Sequence, residues 1–325
     1  MRLLHTMEFP SGLIFDDSPH YLDHLAPFCS LMKWPLIIAE PSIADLARAY
    51  YPNLNIVETI STLPSHLVVC DPLPLVQSAI PNWKNPTFWL PHGNSDKGWK
   101  SPFFEALQSE TAALVYGQKI IDFMKAKNVP IPFHRIGNFR RLYWEQHKQF
   151  YQNQLKEKIR TNRKTALYAP TWDDSEENGT FWKHFPELAE ALPKDHNLIV
   201  KLHPNTVKKY EAKLQPIYGK YEQENILFLD EFPPIYPLLS LCDLYIGDMS
   251  SIGYDFLFFN RPMVFLNPNQ HRDLHRCGTV ILPGQIHSIF KPKPDLHSKI
   301  RKQTYDYTFD PTPNWTELDH ALRSL

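Results

Sequence analysis

The sequence has few cysteines and no excess of either charge, and each of these features argues against a class of protein. The 325 residues contain only 4 cysteines, none of them in a CxxC pair. Zinc knuckles and disulfide scaffolds need closely spaced cysteines, so the spacing argues against both, and a reducing compartment is expected. Lys and Arg number 34 against 35 Asp and Glu. A dedicated nucleic-acid-binding protein would show a basic excess, so nucleic acid is not expected as a partner.

Long apolar runs are absent as well. No stretch approaches the roughly 18 consecutive apolar residues of a membrane-spanning helix, and the first residues, MRLLHTMEFPSG, lack the apolar core of a signal peptide. We therefore expect a cytoplasmic protein, and peripheral contact with the inner face of the cell membrane stays open. The motifs GxGxxG, GxxxxGK[ST], GxSxG and HExxH are missing. Their absence argues against the common nucleotide-hydride enzymes, P-loop NTPases, serine hydrolases and zincins.

What the sequence does contain is enough apolar material for two cores. Hydrophobic residues make up 43% of the chain and aromatic residues 13%, as is typical of a fully folded globular protein. A chain of 325 residues exceeds one typical core, so two domains are expected. The 30 prolines outnumber the 11 glycines, which indicates stiffened loops.

Short apolar runs alternate with helix-like segments along the whole chain. The runs predicted as strands are 12–15, 35–39, 55–58, 66–70, 87–90, 112–116, 165–169, 198–202, 226–229, 243–246 and 263–266. Segments 42–51 and 101–109 have helical features, with Ser42 and Ser101 as predicted N-caps. Residues 139–163 are polar and contain neither Gly nor Pro, which predicts one long exposed helix.

This alternation predicts the α/β class, with two Rossmann-like domains facing each other across a cleft. We place the domains at residues 1–150 and 151–325, and the last helix packing back on the N-terminal domain is an open alternative. Ligands of such sheets bind at the carboxyl ends of the strands. The segments that follow the strands are therefore the candidate site.

Four predicted strands end in unusual residues. The segments that follow them are PHGNSDKG (91–98), PTWDD (170–174), HPN (203–205) and GDMSS (247–251). In the last of these, a strand that turns into a helix through Ser250 and Ser251 would offer hydroxyl and backbone N–H groups, which suits a phosphate. An ordinary helix N-cap explains the two serines equally well, so both interpretations stand.

Two histidines near strand ends are candidates for catalysis. Lys201 and His203 are two residues apart and would share one face of a continuing strand, where they could neutralise a diphosphate. A histidine bonded to a loop carbonyl is the plainer interpretation of a His-Pro pair. Histidine side chains ordinarily titrate near neutral pH, so His92 is a candidate general base, and Gly93 would allow a sharp turn beside it.

A metal site is the weaker interpretation of another histidine pair. His271, Asp273 and His275 have ligand-like spacing, but they lie in a polar segment beside Arg272 and Arg276. Such a segment is more often a solvated surface than a metal site. We therefore expect no metal and no other cofactor.

Together the four motifs resemble the CDP-glycerol:poly(glycerophosphate) glycerophosphotransferase family, the teichoic acid primases and polymerases, which have a GT-B fold. In chain order they are PHG…KG, LYAPTWDD, KLHPN and DLYIGDMSSIGYDFLFFNRPMVFLNP, and they lie within residues 87–268. The last motif is the most specific. Its Asp-x-Ser-Ser is followed by Asp255 and then by Arg261-Pro262 ahead of an apolar strand.

The resemblance implies a transferase whose N-terminal domain takes a hydroxyl acceptor and whose C-terminal domain takes a CDP-activated polyol. It implies that His92 deprotonates the acceptor hydroxyl, which attacks the β-phosphate of the donor and releases CMP. The candidate catalytic residues are His92 and His203. The candidate donor-binding residues are Thr171, Lys201, Asp248, Ser250 and Ser251.

The acceptor implied is a hydroxyl of a cell-envelope polymer or glycolipid, and a lipid link is left open.

Two segments depart from the family pattern. Asp173-Asp174 stand where family members often carry a basic residue, and residues 230–237 are less polar than usual. A GT-B sugar-nucleotide glycosyltransferase, a UDP-sugar 2-epimerase relative and a non-catalytic nucleotide-binding protein are the alternatives.

Overall fold

The computed structural model describes residues 9–59, 62–96, 103–159, 162–173, 179–267, 272–282 and 284–325. The predicted cap Ser101, the motif residues Lys97 and Gly98, and the residues Asp174 and His271 lie outside these ranges. The chain divides into two compact units. The first consists of Met1–Asn94, Lys100–Gln146 and Tyr307–Leu325, and the second of Ser95–Trp99 and His147–Asp306.

Short strands and helices alternate through the described residues. The strands are β1 (Ser11–Ile14), β2 (Leu36–Ile38), β3 (Ile56–Val57), β4 (Leu67–Val69), β5 (Thr87–Trp89), β6 (Ala112–Val115), β7 (Phe133–Arg135), β8 (Lys164–Ala169), β9 (His196–Val200), β10 (Ile226–Phe228), β11 (Leu244–Gly247), β12 (Met263–Phe265) and β13 (Thr279–Val280). The helices are α1 (Leu22–Met32), α2 (Pro41–Tyr50), α3 (Leu73–Ala79), α4 (Phe103–Ala106), α5 (Gln118–Ala126), α6 (Phe139–Gln146), α7 (Lys148–Lys156), α8 (Phe181–Glu190), α9 (Pro204–Tyr221), α10 (Ile235–Leu241), α11 (Ile252–Phe256), α12 (Ser298–Thr308) and α13 (Trp315–Arg323).

Each unit is built around one parallel sheet, as the sequence predicts. The first sheet has seven strands in the order β3-β2-β1-β4-β5-β6-β7. The second has six, in the order β10-β9-β8-β11-β12-β13. In both sheets the strand order reverses beside the first strand of the unit, between β1 and β4 and between β8 and β11. This doubly wound arrangement confirms the predicted α/β class with two Rossmann-like units, and it locates a ligand crevice at each reversal.

The strands are near-continuous apolar runs because parallel sheets are covered on both faces. In the first unit, Val69 and Trp83 belong to one buried cluster beside the sheet. In the second, Tyr168 on β8 packs with Phe181 and Phe185 of α8 and with Leu198 of β9. These cores fix the strand ends on which the candidate residues lie.

Two predictions about helices were wrong. The single long helix over 139–163 is two helices, α6 and α7, which break at His147. The break follows from packing, because α6 buries Phe139 and Tyr143 in the first unit, whereas α7 buries Tyr151 and Leu155 in the second. Ser42 does not cap α2, since the cap position is Glu40 and Pro41 occupies the first helical position.

The sequence analysis missed β7 and β13, the last strands at one edge of each sheet. In β7 the outer residues Phe133 and Arg135 are exposed, so this strand lacks an apolar run. In β13 only two residues pair with β12. An edge strand has one partner and less burial, and its sequence signal is correspondingly weak.

The C-terminal residues pack in the first unit. Trp34 donates its indole N–H to Asp319 Oδ1 over 2.7 Å, and the rings of Phe28 and Trp315 lie 6.2 Å apart. The backbone N–H of Asp310 donates to Tyr116 O over 2.9 Å. Helix α13 is thereby fixed to α1, on which Phe28 lies.

The four cysteines of the chain are buried and free. Within the ranges that the structure describes, no helix is both long enough and apolar enough to cross a membrane.

Candidate active site

The reversal point of the second sheet brings two of the motifs together. Strands β8 and β11 are hydrogen-bonded neighbours, and Gly247 at the end of β11 pairs with Ala169 at the end of β8. The segments that follow these strands begin with Pro170-Thr171 and with Asp248. Thr171 and Asp248 therefore lie side by side at the carboxyl edge, where doubly wound sheets bind ligands.

Asp248 organises this edge. Its Oδ1 atom accepts hydrogen bonds from the backbone N–H groups of Thr171 at 2.9 Å, Met249 at 2.6 Å and Ser250 at 3.2 Å. Its Oδ2 atom accepts one from the Thr180 hydroxyl at 2.8 Å. The carboxylate is fully buried. Its charge is compensated by these donors, so the structure gives Asp248 the role of ordering the loop that a ligand would meet.

The two serines follow directly on that loop. Ser250 is buried and Ser251 is half-buried. Helix α11, which they precede, has only 5 residues, and Ser251 makes no side-chain capping bond to it. The ordinary N-cap interpretation is therefore wrong for Ser251. A five-residue helix also offers little macrodipole, so any phosphate contact would depend on the hydroxyl groups themselves.

A glycine allows the strand to end in this shape. A Cβ atom on Gly247 would lie 2.3 Å from the Tyr245 hydroxyl oxygen, which is too close for any other residue without a shift of the ring. Tyr245 is fully buried. The glycine between the strand and Asp248 is therefore required by the close approach of Tyr245.

Lys201 does not point where strand alternation predicts. Strand β9 ends at Val200, so the rule that residues two apart share a face does not apply beyond it. Lys201 is buried, and its ammonium donates to the carbonyl oxygen of Asp230 over 2.9 Å. The Asp230 carboxylate in turn accepts from the Tyr218 hydroxyl at 2.6 Å and from the N–H of Leu202 at 3.2 Å. Lys201 thus ties the end of β9 to the segment after β10.

His203 occupies the N-cap position of α9. Its Nδ1 atom accepts the backbone N–H of Asn205 over 3.2 Å. An Nδ1 atom that accepts has no proton, so the neutral ring carries its proton on Nε2. The ring lies 6.2 Å from that of Trp172, in the motif that follows β8. This places an imidazole N–H donor beside the segment that follows β8, which contains Thr171.

The metal interpretation finds no support in the geometry of His275. Its Nε2 atom bonds to Asn267 Oδ1 at 2.7 Å, and its Nδ1 accepts the N–H of Arg272 at 3.3 Å. Both ring nitrogens are therefore engaged by protein groups. Over the part of the chain that the structure describes, no group of three or more His, Cys, Asp or Glu could hold a metal ion.

Of the two aspartates that depart from the family pattern, Asp173 is described. A Cβ atom on Gly179 would lie 2.5 Å from its Oδ1, so the carboxylate lies against the backbone of Gly179.

Arg261, in the last motif, donates to the carbonyl oxygens of Ser240 at 3.0 Å and Cys242 at 2.6 Å. The arginine therefore closes the C-terminal end of α10.

In the first unit, His92 lies just after β5. Its side chain is exposed, and the rings of Tyr21, His20 and Phe103 lie 5.4, 5.8 and 6.5 Å from it. Gly93 has φ +118°, a conformation that side chains disfavour, and it turns the chain away after the histidine. His92 is thereby held among three rings while its edge remains open to solvent.

A buried relay fixes the backbone before His92. The Tyr116 hydroxyl donates to the carbonyl oxygen of Pro91 at 2.9 Å, and His24 Nδ1 lies 2.6 Å from the same hydroxyl. The hydroxyl has only one proton, so Nδ1 of His24 is the donor. Burial lowers the pKa of His24 well below its usual value. A neutral histidine therefore holds this chain of hydrogen bonds in place.

Tyr21, whose ring lies beside His92, is hydrogen-bonded to Asp71, and the sequence analysis missed both residues. The Tyr21 hydroxyl donates to Asp71 Oδ1 over 2.9 Å. Burial raises the pKa of the Asp71 carboxyl to about 6. Burial, and then the neighbouring His92, lowers the pKa of His20 to about 3. Asp71 follows the HLVVC run directly, and the rule about strand ends that singled out His92 would have found it.

Comparisons with known proteins match part of this chain to the family that its motifs resemble. Residues 141–287 match the sequence model of the CDP-Glycerol:Poly(glycerophosphate) glycerophosphotransferase family. The teichoic acid glycerol-phosphate primase of Bacillus spizizenii is 33% identical over 41% of this chain and 34% of its own length. The teichoic acid ribitol-phosphate polymerase TarL of Staphylococcus aureus is 31% identical over 57% of this chain and 35% of its own. The chain spans about a third of the length of these relatives.

Solved structures show the same fold. The wall teichoic acid polymerase TagF superposes with a TM-score of 0.67 at 16% identity, over 98% of this chain and 89% of that one. The UDP-GlcNAc 2-epimerase of Neisseria meningitidis superposes with a TM-score of 0.54 at 13% identity, over 99% of both chains. At these identities the likeness concerns the fold alone.

Proposed function

We propose, from the match of residues 141–287 to the model of the CDP-glycerol:poly(glycerophosphate) glycerophosphotransferase family, that this chain transfers a polyol phosphate from a CDP-activated donor to a hydroxyl acceptor. The donor is CDP-glycerol or a related CDP-polyol. The acceptor is a hydroxyl group of a cell-envelope polymer or glycolipid. The observation that carries the proposal is the family's Asp-x-Ser-Ser segment, held by Asp248 at the reversal point of the second sheet.

The reaction begins with the acceptor hydroxyl. His92 takes its proton, and the oxygen forms a bond to the β-phosphorus of the donor. The bond between that phosphorus and the bridging oxygen breaks, and CMP leaves with the bonding electrons. The exposed edge of His92 and its fixed ring support the role of base, since a base must reach its proton in a defined direction.

Carboxyl groups at the carboxyl edge of the first sheet favour the uncharged hydroxyl end of an acceptor. Asp71 and Asp16 follow β4 and β1, and the charge of Asp16 is one of the causes that raise the pKa of Asp71. Two neighbouring carboxyl groups repel a phosphate and can accept hydrogen bonds from hydroxyl groups. This chemistry suits the hydroxyl end of a polyol, and it supports the proposal that the acceptor binds to the first unit.

The second unit supplies the groups for the diphosphate. The Nε2–H of His203 and the hydroxyls of Ser250 and Ser251 are the proposed donors to its oxygens. Thr171 and Asp248 act by positioning the two loops, because their bond joins the segments after β8 and β11. Lys201 contributes its charge from behind the loop, where it is bonded to Asp230.

The test is an assay of CMP release. Purified protein is given CDP-glycerol, CDP-ribitol or UDP-GlcNAc, each with and without a glycerol-phosphate-terminated acceptor. We expect acceptor-dependent CMP release from a CDP-polyol and none of UDP from UDP-GlcNAc. Turnover of UDP-GlcNAc, with no response to either CDP-polyol, would reject the proposal in favour of the sugar-nucleotide alternative.

The rival function has one observation in its favour, the fold similarity to the UDP-GlcNAc 2-epimerase. Thermal shift measurements separate the two before any acceptor is known. A CDP-polyol that binds the native protein raises its melting temperature by mass action. Stabilisation by UDP-GlcNAc alone would favour the rival, and binding of CDP-glycerol without turnover in any acceptor assay would favour a non-catalytic protein.

A lipid-linked acceptor and contact with the membrane surface belong to the same proposal. Envelope polymers that carry a lipid anchor would bring the reaction to the membrane. Flotation with vesicles of anionic lipid, with and without a lipid-linked acceptor analogue, tests both points. Protein that stays in the soluble fraction in every case would limit the proposal to a free acceptor.

A further inference from the structure

A pocket lies at the amino ends of the strands of the second sheet, the edge opposite the proposed donor site. It encloses about 270 Å³. Its walls come from the first residues of β8, β11, β12 and β13 and from the segment 289–297, which runs across them. Because the donor residues follow the carboxyl ends of β8, β9 and β11, the pocket is separated from them by the length of the strands.

The interior of the pocket is apolar. Ala166, Val264 and Ile289 are buried lining residues, and Phe290 is half-buried beside them. The Phe290 ring lies 5.8 Å from the imidazole of His196, which also lines the pocket. Such walls bind an apolar or planar group by excluding water from it.

The rim of the pocket is cationic. Lys164, Lys291 and Lys293 line it and are exposed. Among the residues that the structure describes, neither Lys164 nor Lys291 has a salt bridge. Lys293 bonds to the Ser288 hydroxyl at 3.2 Å. Three ammonium groups around one opening attract an anion, and they remain solvated until it arrives.

The two carboxylates at the pocket do not cancel this charge. Asp243 accepts the backbone N–H of Thr165 through Oδ2 at 3.0 Å. Asp295 forms an ion pair with Arg301, whose side chain is fully buried, and its Oδ1 lies 2.9 Å from Nη1 of that arginine. Asp295 is neutralised by Arg301, and the three lysines outnumber the two remaining carboxylates, Asp243 and the exposed Asp195, which interacts with Lys164.

The backbone that carries Lys291 and Lys293 is also restrained. Pro292 and Pro294 alternate with Lys291 and Lys293, and each proline ring fixes the backbone φ angle near −65°. The Arg301 pair anchors the far end of this segment. A segment that is ordered before binding loses less conformational entropy when an anion contacts it.

We propose that this pocket binds an amphipathic organic phosphate, with its apolar or planar body against Phe290 and its phosphate on Lys164, Lys291 and Lys293. Two kinds of compound have this chemistry, an isoprenoid phosphate and a nucleoside monophosphate. Either would bind at the amino edge of the sheet independently of the reaction proposed above. The site is thus a second binding site of the chain.

The experiment uses the full chain with three probes, farnesyl phosphate, CMP and farnesol. Serines 250 and 251 are both replaced by alanine in the protein used for CMP, so that binding at the carboxyl edge is weakened. Calorimetry gives the affinity, and NMR of the His196 and His297 imidazoles, both of which line the pocket, reports its position. The imidazole signals are assigned with H196Q and H297Q.

We expect at least one phosphate probe to bind and to shift both imidazole signals. The double variant K164A/K291A should bind it at least about ten-fold more weakly, since each lost contact to a phosphate is a charged hydrogen bond. The matched control K299A/K302A removes two exposed lysines of α12 that do not line the pocket. That control should keep the affinity within about two-fold.

The probes distinguish the two sources. Binding of farnesyl phosphate without CMP identifies a lipid phosphate, and binding of CMP without farnesyl phosphate identifies a nucleotide. The proposal is overturned if neither phosphate binds, if the imidazole signals do not move, or if farnesol binds as tightly as farnesyl phosphate. Equal losses in K164A/K291A and in the control would also overturn it. None of these results depends on transferase activity.

Discussion

The carboxyl edges of the two sheets share a topology and differ in how a buried carboxylate is used. In the first unit, Asp71 accepts one hydrogen bond, from Tyr21, and burial raises its pKa to about 6. In the second, Asp248 accepts four hydrogen bonds and is fully buried. One acid retains acceptor capacity for a ligand, and the other uses its capacity to build a loop.

Under the proposed function, this difference explains how one topology would hold two kinds of substrate. The reversal of strand order places a crevice at both edges. The sign and the hydrogen-bond capacity of the side chains there decide what enters it. On the account above, the first edge receives hydroxyl groups and the second receives a diphosphate, because only the second has its carboxylate fully compensated.

The largest expected effect separates catalysis from donor binding. Replacing His92 with alanine removes the proposed base, which typically costs 10²–10⁴-fold in rate. CMP release at saturating donor and acceptor is the measurement. His320→Ala, which changes an exposed histidine on α13 of the same unit, is the control and should keep the wild-type rate. A rate of His92→Ala above a tenth of the wild-type rate would show that His92 is not the general base.

The next prediction compares the two carboxylates directly. Asp248→Ala leaves three backbone N–H groups and one hydroxyl without their acceptor, at about 1–3 kcal/mol for each buried donor that stays unpaired. We expect the unfolding free energy to fall by roughly 3 kcal/mol or more, measured by urea denaturation. Asp71→Ala, which frees only Tyr21, should cost less. Equal losses of unfolding free energy in the two variants would show that the larger number of hydrogen bonds to Asp248 does not stabilise the fold.

A smaller effect tests the serine hydroxyls. Replacing Ser250 and Ser251 together with alanine should weaken CDP-glycerol binding by about ten-fold or more, because hydroxyl contacts to a charged phosphate are lost. Ser251 makes no capping bond, so the loss of stability should stay below the roughly 0.5–2 kcal/mol of an N-cap. The same purified protein serves for calorimetry and for thermal unfolding. A loss of stability with unchanged affinity would contradict the phosphate assignment.

The last prediction concerns the pH dependence of stability, which Asp71 at the carboxyl edge of the first sheet should influence. The folded-state pKa of Asp71 is raised, so its contribution to stability is complete below pH 3.8 and is lost as pH rises through about 6. Asp71→Asn can keep the bond from Tyr21 and never ionises. The variant should therefore gain stability relative to wild type as pH rises from 4 to 7. A difference that does not change with pH would show that Asp71 titrates normally.

Much of the fold was predictable from the sequence because the signals are local. A strand covered on both faces is a continuous apolar run, and the central strands of both sheets were found in this way. The edge strands β7 and β13 were missed because they lack such a run. The break at His147 was missed because the segment contains neither Gly nor Pro, and only the packing of α6 and α7 in different units separates them.

The site was predictable as a set of loops and less so as a set of contacts. The strand-end rule and the motifs identified the loops that carry His92, Thr171, His203 and Ser250. The sequence could not show that Lys201 bonds to the carbonyl oxygen of Asp230, because that contact joins segments about thirty residues apart. The relay from His24 to Pro91 has the same character, since its members are brought together only by the fold.

The division of chemistry between the two edges is tested most directly by donor binding alone. CDP-glycerol is titrated by calorimetry into wild type, into His92→Ala and into the variant with alanine at Ser250 and Ser251. The account predicts that His92→Ala binds within about two-fold of wild type and that the serine variant binds about ten-fold or more weakly. Loss of donor binding in His92→Ala, together with wild-type binding in the serine variant, would contradict it.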